Sequence, residues 1–218
     1  MSILTENQKN ILSLISKEKN IVDHFYLSGG TALAEVYLHH RLSEDLDFFS
    51  ETEFHSQAIS VFFKKIQKEA GIVSVEYQQS FNRNLFFLTL KDGVIKTEFT
   101  YYPFTRVEKG QKIGNLDVDS LLDIAINKIF TIYQQPRSRD FIDLYLILQK
   151  EKNWTLDDLV KKTHIKFDNY IDPLQLSAQF VKVDILKDYP KMIIQIPEKE
   201  WQEFFINEAK KLSASKLE

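Results

Sequence analysis

The chain has 218 residues, of which 44% are hydrophobic, enough for a sizeable core in one large domain or in one domain with a helical extension. Its net charge of −3 argues against a protein that coats nucleic acid without specificity, although a local basic groove stays open. The absence of cysteine excludes disulfides and cysteine-based metal sites. Because no apolar run approaches the length of a membrane helix and the N-terminus lacks a signal-peptide pattern, we expect a soluble, cytoplasmic protein.

The first elements of the chain lead into a glycine-rich turn. Apolar spacing predicts an amphipathic helix over residues 5–16 with Thr5 as its N-cap, followed by a strand over residues 23–27. The strand runs into Ser28-Gly29-Gly30-Thr31, and a short helix is predicted over residues 32–40. Two glycines at a helix start let the backbone approach an anion, and the free N–H groups and the helix dipole favour phosphate there. The turn is therefore a candidate phosphate cradle.

The next segment, Asp45-Leu46-Asp47-Phe48-Phe49, alternates acidic and apolar residues and predicts a half-buried strand. Side chains two apart on a strand point the same way, so Asp45 and Asp47 share a face, about 7 Å apart along the strand. Such a pair suits hard cations such as Mg²⁺. Two such ions about 3.5–4 Å apart hold both the attacking and the leaving oxygen of a phosphoryl transfer. The order of cradle, helix and paired acids is a nucleotidyl-transfer layout.

A helix over residues 54–70 and three strands are predicted next, with Asp92-Gly93 as a hairpin turn between the last two strands. The strand predictions cover residues 72–77, 84–91 and 94–102. In the last strand Glu98 lies on the polar face, together with Val94, Lys96 and Thr100. If this strand lies beside the Asp45–Asp47 strand, Glu98 lies near the two aspartates. The alternative is an ordinary acid that faces solvent.

Helices follow to the end of the chain. One helix is predicted from residues 119–120 to Tyr133 and a second from residues 137–138 to Lys150, with Pro136 between them. Further helices are predicted over residues 156–162, 173–186 and 197–212. We therefore expect an α/β (α+β) fold, with a mixed sheet in residues 1–110 and a helical region in residues 111–218 that completes the active-site cleft.

Charged residues in this helical region have two interpretations. Lys128 lies within an apolar run, where a lysine usually extends its ammonium to the surface. Asp140 and Asp143 are one turn apart at a helix start, where the dipole favours acids, and Arg137 and Arg139 precede or flank them. These charged residues either pair with one another within the protein or contact phosphate or RNA, and the sequence leaves both interpretations open.

Other chemistries have little support in the sequence. His39 and His40 are adjacent and point apart on a helix, so they do not form a metal site, and no His-Glu-x-x-His spacing is present. No Gly-x-Ser-x-Gly elbow indicates a serine hydrolase.

Taken together, these segments resemble the nucleotidyltransferase family of AbiEii/AbiGii-type toxins, within the DNA polymerase β-like superfamily. The resemblance covers roughly residues 25–148. It rests on two blocks, the first made of Gly29 to Leu33, His40-Arg41, Ser43 and Asp45 to Phe49, and the second of Lys128 to Arg137, Arg139-Asp140 and Asp143-Leu144.

The resemblance implies a polymerase-β-like nucleotidyltransferase core and a role for each matching residue. Metal binding, with two Mg²⁺ ions, falls to Asp45, Asp47 and Glu98. The residues implied to bind the nucleoside triphosphate belong to the cradle and to three arginines: Ser28, Gly29, Gly30, Thr31, Arg41, Arg137 and Arg139. Lys128 meets the phosphates of the nucleotide and takes part in catalysis together with the acids. Asp140 has an orienting or catalytic role. Relatives often carry Gly-Ser where this chain has Gly29-Gly30, so Ser28 or Thr31 would have to supply the hydroxyl.

The implied activity is the transfer of a nucleoside monophosphate from a nucleoside triphosphate to an acceptor hydroxyl, with release of pyrophosphate. An RNA end, such as that of tRNA, is the first choice of acceptor and a protein hydroxyl the second. The resemblance further implies the toxin of a toxin–antitoxin or phage-defence system, with a cognate antitoxin as partner. Two alternatives stay open: a non-catalytic nucleotide- or partner-binding protein on the same fold, and a metal-dependent phosphodiesterase.

Overall fold

A computed structural model of the chain describes residues 2–214. These residues divide into two compact units, the first ending at Ser120 and the second beginning at Leu121. The first unit extends beyond the predicted limit of residue 110 because two short strands near residues 112–118 continue its sheet.

The first unit is built on one mixed sheet. Its strands in the described part of the chain are β1 (Tyr26–Ser28), β2 (Leu46–Ser50), β3 (Ser74–Ser80), β4 (Arg83–Leu90), β5 (Gly93–Tyr101), β6 (Lys112–Ile113) and β7 (Leu116–Val118). Their order across the sheet is β3-β4-β5-β2-β1-β7-β6. The pairings β2 with β5 and β1 with β7 are parallel, and the others are antiparallel.

Four helices of the first unit are α1 (Glu6–Ile15), α2 (Lys19–Val22), α3 (Gly29–Ala32) and α4 (Ser56–Ile66). The predicted N-cap of α1 is confirmed: the Thr5 hydroxyl accepts from the backbone N–H of Gln8, and the Gln8 side chain accepts from the backbone N–H of Thr5. This reciprocal pair satisfies two N–H groups that a helix start otherwise leaves without a partner.

The two faces of the sheet have opposite character. On one face the Phe63 ring of α4 lies 5.2 Å from the Phe86 ring and 6.1 Å from the Phe99 ring, and Phe99 stacks on Phe48 at 4.8 Å. These rings are buried and form the core of the unit. Because β2 and β5 alternate, the acidic residues between their apolar positions project from the other face.

The second unit is helical. It contains α5 (Leu121–Gln134), α6 (Ser138–Lys150), α7 (Leu156–Phe167), α8 (Pro173–Phe180), a 3₁₀ turn (Val181–Asp184) and α9 (Glu198–Ala214). The predicted helix over residues 173–186 is thus shorter than expected and ends in the 3₁₀ turn. The ring of Phe205 lies 4.9 Å from that of Phe141 and 5.2 Å from that of Phe180, so an aromatic cluster joins α6, α8 and α9.

Candidate active site

Three carboxylates meet on one face of the sheet, which we call the carboxylate face: Asp45, Asp47 and Glu98. In the parallel pairing of β2 with β5, Asp47 is the register partner of Glu98. Directly paired residues project to the same side, and adjacent strands lie about 4.8 Å apart. The Glu98 strand therefore does lie beside the aspartate strand. Asp45 immediately precedes β2 and keeps its alternation with Asp47.

Two cationic side chains neutralise this face, and neither is among the predicted site residues. The Lys96 ammonium lies 2.7 Å from Asp45 Oδ2 and 3.9 Å from Glu98 Oε2. The Arg83 guanidinium donates to both oxygens of Glu98, each at 2.6 Å. Alternation along β5 does place Lys96 on the same face as Glu98, whereas Arg83 lies just ahead of the predicted strand and carries no such signal.

The electrostatics of Glu98 follow from these contacts. Burial by itself would raise the pKa of this carboxyl, but hydrogen bonding and charge from Arg83, a hydrogen bond from Thr100 and the charge of Lys96 together hold the pKa below its usual value. Glu98 is therefore ionised at neutral pH and is a weak base. This makes it better suited to fix the two cations than to accept a proton from an acceptor hydroxyl.

The carboxylate face bears on the predicted metal site. Within residues 2–214, no group of three or more histidine, aspartate or glutamate side chains has the arrangement of a metal site. Because both Glu98 oxygens accept from Arg83, its role as a third ligand stays a prediction. Asp45 and Asp47 still fit Mg²⁺, which proteins commonly hold through one or two carboxylates together with the phosphates of a substrate.

The glycine turn lies directly against this face. Gly29 has a φ of +71°, and a Cβ at that position would lie 2.7 Å from Asp47 Oδ2. Both facts require glycine, since other residues are strained at this φ and any side chain would collide with the carboxylate. The pairing of Ser28 with Asp47 in the antiparallel β1–β2 ladder holds the two in place. The predicted cradle and the predicted acids are therefore neighbours.

Gly30 is explained by a different neighbour. A Cβ at Gly30 would collide with the Arg41 guanidinium and would lie 3.3 Å from Ser43 Oγ. Arg41 is buried, as is His40, so the pair packs inside the unit and does not form an exposed helix end. A serine at position 30 would require Arg41 to move, which gives a steric reason for glycine there.

The two hydroxyls expected to replace that serine both bond within the protein. Ser28 Oγ donates to Asp119 Oδ2 at 2.7 Å in a buried contact. Thr31 Oγ1 donates to the backbone carbonyl of Asp45. Thr31 thus ties the glycine turn to the start of the acidic strand, and the assignment of either hydroxyl to phosphate stays a prediction.

The helix after the turn departs from the predicted form. A single helix was predicted over residues 32–40, but α3 passes into a π-helix over Leu33–Leu38 that ends at His39, whose φ is 50°. Each turn of a π-helix holds an extra residue, and such turns are often found at functional sites. Apolar spacing alone does not reveal them.

In the second unit, Lys128 lies in a buried ionic network. Its ammonium is 2.7 Å from Asp140 Oδ1 and 2.6 Å from Asp143 Oδ2, and Arg137 Nε donates to Asp140 Oδ2 at 2.9 Å. The exposed fractions of the Lys128 and Asp140 side chains are 9% and 1%. Lys128 therefore does not extend to the surface as a lysine on an apolar stripe usually does. Arg139 is half-buried.

This network lowers the pKa of Asp140. Burial would raise the pKa, but the charges of Lys128 and Arg137 and their hydrogen bonds outweigh burial and hold it below its usual value. A buried carboxylate stays ionised only with such partners. The contacts of Lys128, Arg137 and Asp140 with phosphate or RNA stay predictions.

Comparison with known proteins places this geometry in context. The family model described as nucleotidyl transferase AbiEii toxin, Type IV TA system, matches residues 17–213. Among curated proteins, the uncharacterized protein aq_aa25 of Aquifex aeolicus (strain VF5) is 35% identical over 153 residues, covering 68% of this chain and 69% of that protein.

Solved structures share the fold. A crystal structure described as that of a proposed nucleotidyltransferase from H. pylori has a TM-score of 0.61 at 19% identity and covers 99% of each chain. JHP933 from Helicobacter pylori has a TM-score of 0.59 at 20% identity, covering 97% of this chain and 94% of that one. These likenesses confirm the predicted mixed α/β fold. Among the helices of residues 2–214, none has the length and apolar character needed to span a membrane.

Proposed function

Because the chain belongs to the nucleotidyl transferase AbiEii toxin family and is a nucleotidyltransferase, we propose that it transfers a nucleoside monophosphate from a nucleoside triphosphate to an acceptor hydroxyl in an Mg²⁺-dependent reaction. The observation that carries this proposal is the close approach of Gly29 to the Asp47 carboxylate, where an added Cβ would lie 2.7 Å from Asp47 Oδ2. It brings a backbone suited to phosphate and an acid suited to a cation to one point.

Asp45 and Asp47 would hold the metal. Bound there, Mg²⁺ would neutralise the phosphates and orient the reacting oxygens. The acceptor hydroxyl gives up its proton to water as its oxygen forms a bond to the α-phosphorus. The bond from that phosphorus to the oxygen bridging to the β-phosphorus breaks, and pyrophosphate leaves. The Gly29-Gly30 turn would bind the polyphosphate through its backbone N–H groups. The two hydrogen bonds that Arg83 donates to Glu98 keep this third carboxylate fixed beside Asp45 and Asp47.

Residues of the second unit divide into two groups by exposure. Arg137 and Arg139 are partly exposed, and we assign them to phosphate or RNA contact. Lys128 already has two carboxylates within 2.7 Å, so its contribution to activity is to hold Asp140 in a fixed, ionised state. This account differs from direct contact of Lys128 with the polyphosphate in predicting a large stability loss on removal of the lysine.

The acceptor we favour is an RNA end, with tRNA first, and a protein hydroxyl is the second choice. The family is one of Type IV toxin–antitoxin systems, so the chain acts as the toxin and has an antitoxin as partner. Net charge of −3 requires that any RNA contact use a local basic surface and not the whole protein.

The test is incubation of the protein with each α-labelled nucleoside triphosphate, Mg²⁺ and either total RNA or RNA-free lysate. We expect label in a macromolecular acceptor and stoichiometric pyrophosphate. The Asp45→Asn/Asp47→Asn variant should lose activity on the order of 100-fold or more, since it removes the groups that position transition-state charge.

The matched control removes two exposed acids of the same unit, Glu69 and Asp92, as Glu69→Gln/Asp92→Asn, and should keep full activity. An Asp45→Asn/Asp47→Asn variant as active as the wild type would reject the metal assignment. Release of nucleoside monophosphate without transfer would instead identify a phosphodiesterase. Triphosphate binding in calorimetry without turnover on any acceptor would identify a binding protein.

A further inference from the structure

The two cations on the carboxylate face are held in different ways. Arg83 makes two parallel hydrogen bonds of 2.6 Å to Glu98, whose side chain is buried. A bidentate guanidinium–carboxylate pair is strong and geometrically fixed, and arginine keeps its charge at all working pH values. Glu98 is also held by a 2.9 Å hydrogen bond from the Thr100 hydroxyl. The Arg83 side chain is 49% exposed, but its two parallel hydrogen bonds to the buried Glu98 make this the more firmly fixed of the two pairs.

The pair of Lys96 and Asp45 is of another kind. One nitrogen meets one oxygen at 2.7 Å, and the exposed fractions of the two side chains are 26% and 38%. The second contact of the ammonium, to Glu98 Oε2, is 3.9 Å long. Lysine carries a point charge on a flexible stem and can rotate into solvent. Both members of this pair are thus accessible from water, and the lysine can leave at little cost.

A divalent cation on Asp45 competes with this ammonium for space and for charge. Mg²⁺ binds carboxylate oxygens at about 2.0–2.1 Å, while the Lys96 nitrogen is 2.7 Å from Asp45 Oδ2. An ion held by Asp45 would therefore lie close to the ammonium, and the two like charges would repel. The ammonium and the ion would compete for this carboxylate.

We propose that Lys96 is an internal counter-ion of Asp45 that the divalent cation displaces, so that Lys96 sets the affinity of the site for the metal while Glu98 stays bound to Arg83. The proposal rests on the metal assignment of the proposed function and deepens it. Lys96 acts as a positioning residue for Asp45 in the metal-free protein. Its release opens Asp45 when the cation arrives.

The first test measures binding of Mn²⁺ alone, without nucleotide, by isothermal titration calorimetry. Lys96→Met keeps the apolar stem and removes the charge. We expect its dissociation constant for Mn²⁺ to be about tenfold lower than that of the wild type, equivalent to about 1.4 kcal/mol. Lys91→Met, which removes an exposed lysine near the turn that joins β4 to β5, is the matched control and should leave the constant unchanged.

The second test does not depend on the loss of the lysine charge. In protein labelled with ¹⁵N at lysine, the Lys96 ammonium signal, assigned by its disappearance in Lys96→Arg, should shift on titration with Mg²⁺, whereas the Lys91 signal should not. An unchanged Lys96 signal at Mg²⁺ saturation would overturn the proposal, because it would show that the ammonium stays in place.

The Asp45→Asn/Asp47→Asn variant separates the two levels of the proposal. If Mn²⁺ binding is lost in that variant but equal in Lys96→Met and wild type, displacement of the lysine is wrong while the metal assignment stands. If wild type, Lys96→Met and the double variant all fail to bind Mn²⁺, the metal assignment is wrong and the inference falls with it.

Discussion

Replacing Lys128 by methionine removes the cation of the buried network and leaves two buried carboxylates, Asp140 and Asp143, behind. Breaking a buried ion pair by removing one partner costs about 3–5 kcal/mol, because the remaining charge has lost its compensation. Arg137 still donates to Asp140 at 2.9 Å, so we expect the lower end of this range, about 3 kcal/mol. Methionine has a similar volume to the lysine stem, so the loss is electrostatic and not due to a cavity.

The pH dependence of this loss has a definite sign. The folded-state pKa of Asp140 is lowered, so in the wild type this carboxyl contributes stability that is present above its unfolded pKa of about 3.9 and is lost as pH falls through the folded value. Without Lys128, burial is opposed by Arg137 alone, and the pKa of Asp140 rises. The stability difference between wild type and Lys128→Met should therefore shrink as pH falls from 7 toward 4.5.

Both tryptophans of the chain, Trp154 and Trp201, belong to the second unit, so urea unfolding followed by tryptophan fluorescence reports on this unit. The control is Lys161→Met, whose partner Asp157 lies one helical turn away with both side chains exposed, and its unfolding midpoint should match the wild type. A loss below about 1 kcal/mol for Lys128→Met at pH 7, the value typical of an exposed pair, would refute the buried network. It would favour direct contact of Lys128 with the polyphosphate.

Two further predictions concern the glycine turn. Gly29→Ala should destabilise the first unit by about 1 kcal/mol more than Gly71→Ala. The two glycines have nearly equal φ values, +71° and +69°, but only a Cβ at Gly29 meets Asp47, while that at Gly71 meets nothing within 4 Å; equal losses in urea unfolding followed by circular dichroism would contradict the close approach. Ser28→Ala should cost about 1–3 kcal/mol in the same assay, because it leaves Asp119 Oδ2 buried without its hydroxyl donor. Unchanged stability with weakened triphosphate binding would instead assign that hydroxyl to phosphate.

Sequence patterns predict the carboxylate face because its signals are local. Alternation along Asp45 to Phe49 and along β5 puts the acids on the polar sides of two strands, and a two-residue period survives small errors in strand boundaries. The Thr5 cap was predictable for the same reason, since a capping box needs only residues three apart. The neighbouring position of β2 and β5 was only a condition in the sequence-based interpretation, and the structure supplies it.

The parts that sequence does not predict depend on distant register or on weak local signals. Lys96 meets Asp45 only because β5 pairs with β2 at one particular register. Arg41 lies against Gly30 after an intervening π-helix, which apolar spacing does not reveal. The strands β6 and β7 have two and three residues, too few for a period to be recognised, so the sequence carries no signal that the first unit continues to Ser120.

The two lysine–aspartate pairs show why distance alone does not assign a role. The distance from the lysine nitrogen to the aspartate oxygen is 2.7 Å both in the pair of Lys128 with Asp140 and in the pair of Lys96 with Asp45. The first pair is nearly inaccessible to water, and Asp143 and Arg137 contact it. If its two charges were separated, neither would gain hydration from solvent, so the separation costs several kcal/mol. The second pair is open to water, where an ion pair is worth about 1 kcal/mol or less, a difference that the binding energy of a metal ion easily exceeds. Burial therefore makes one pair a fixed part of the second unit and leaves the other available for exchange.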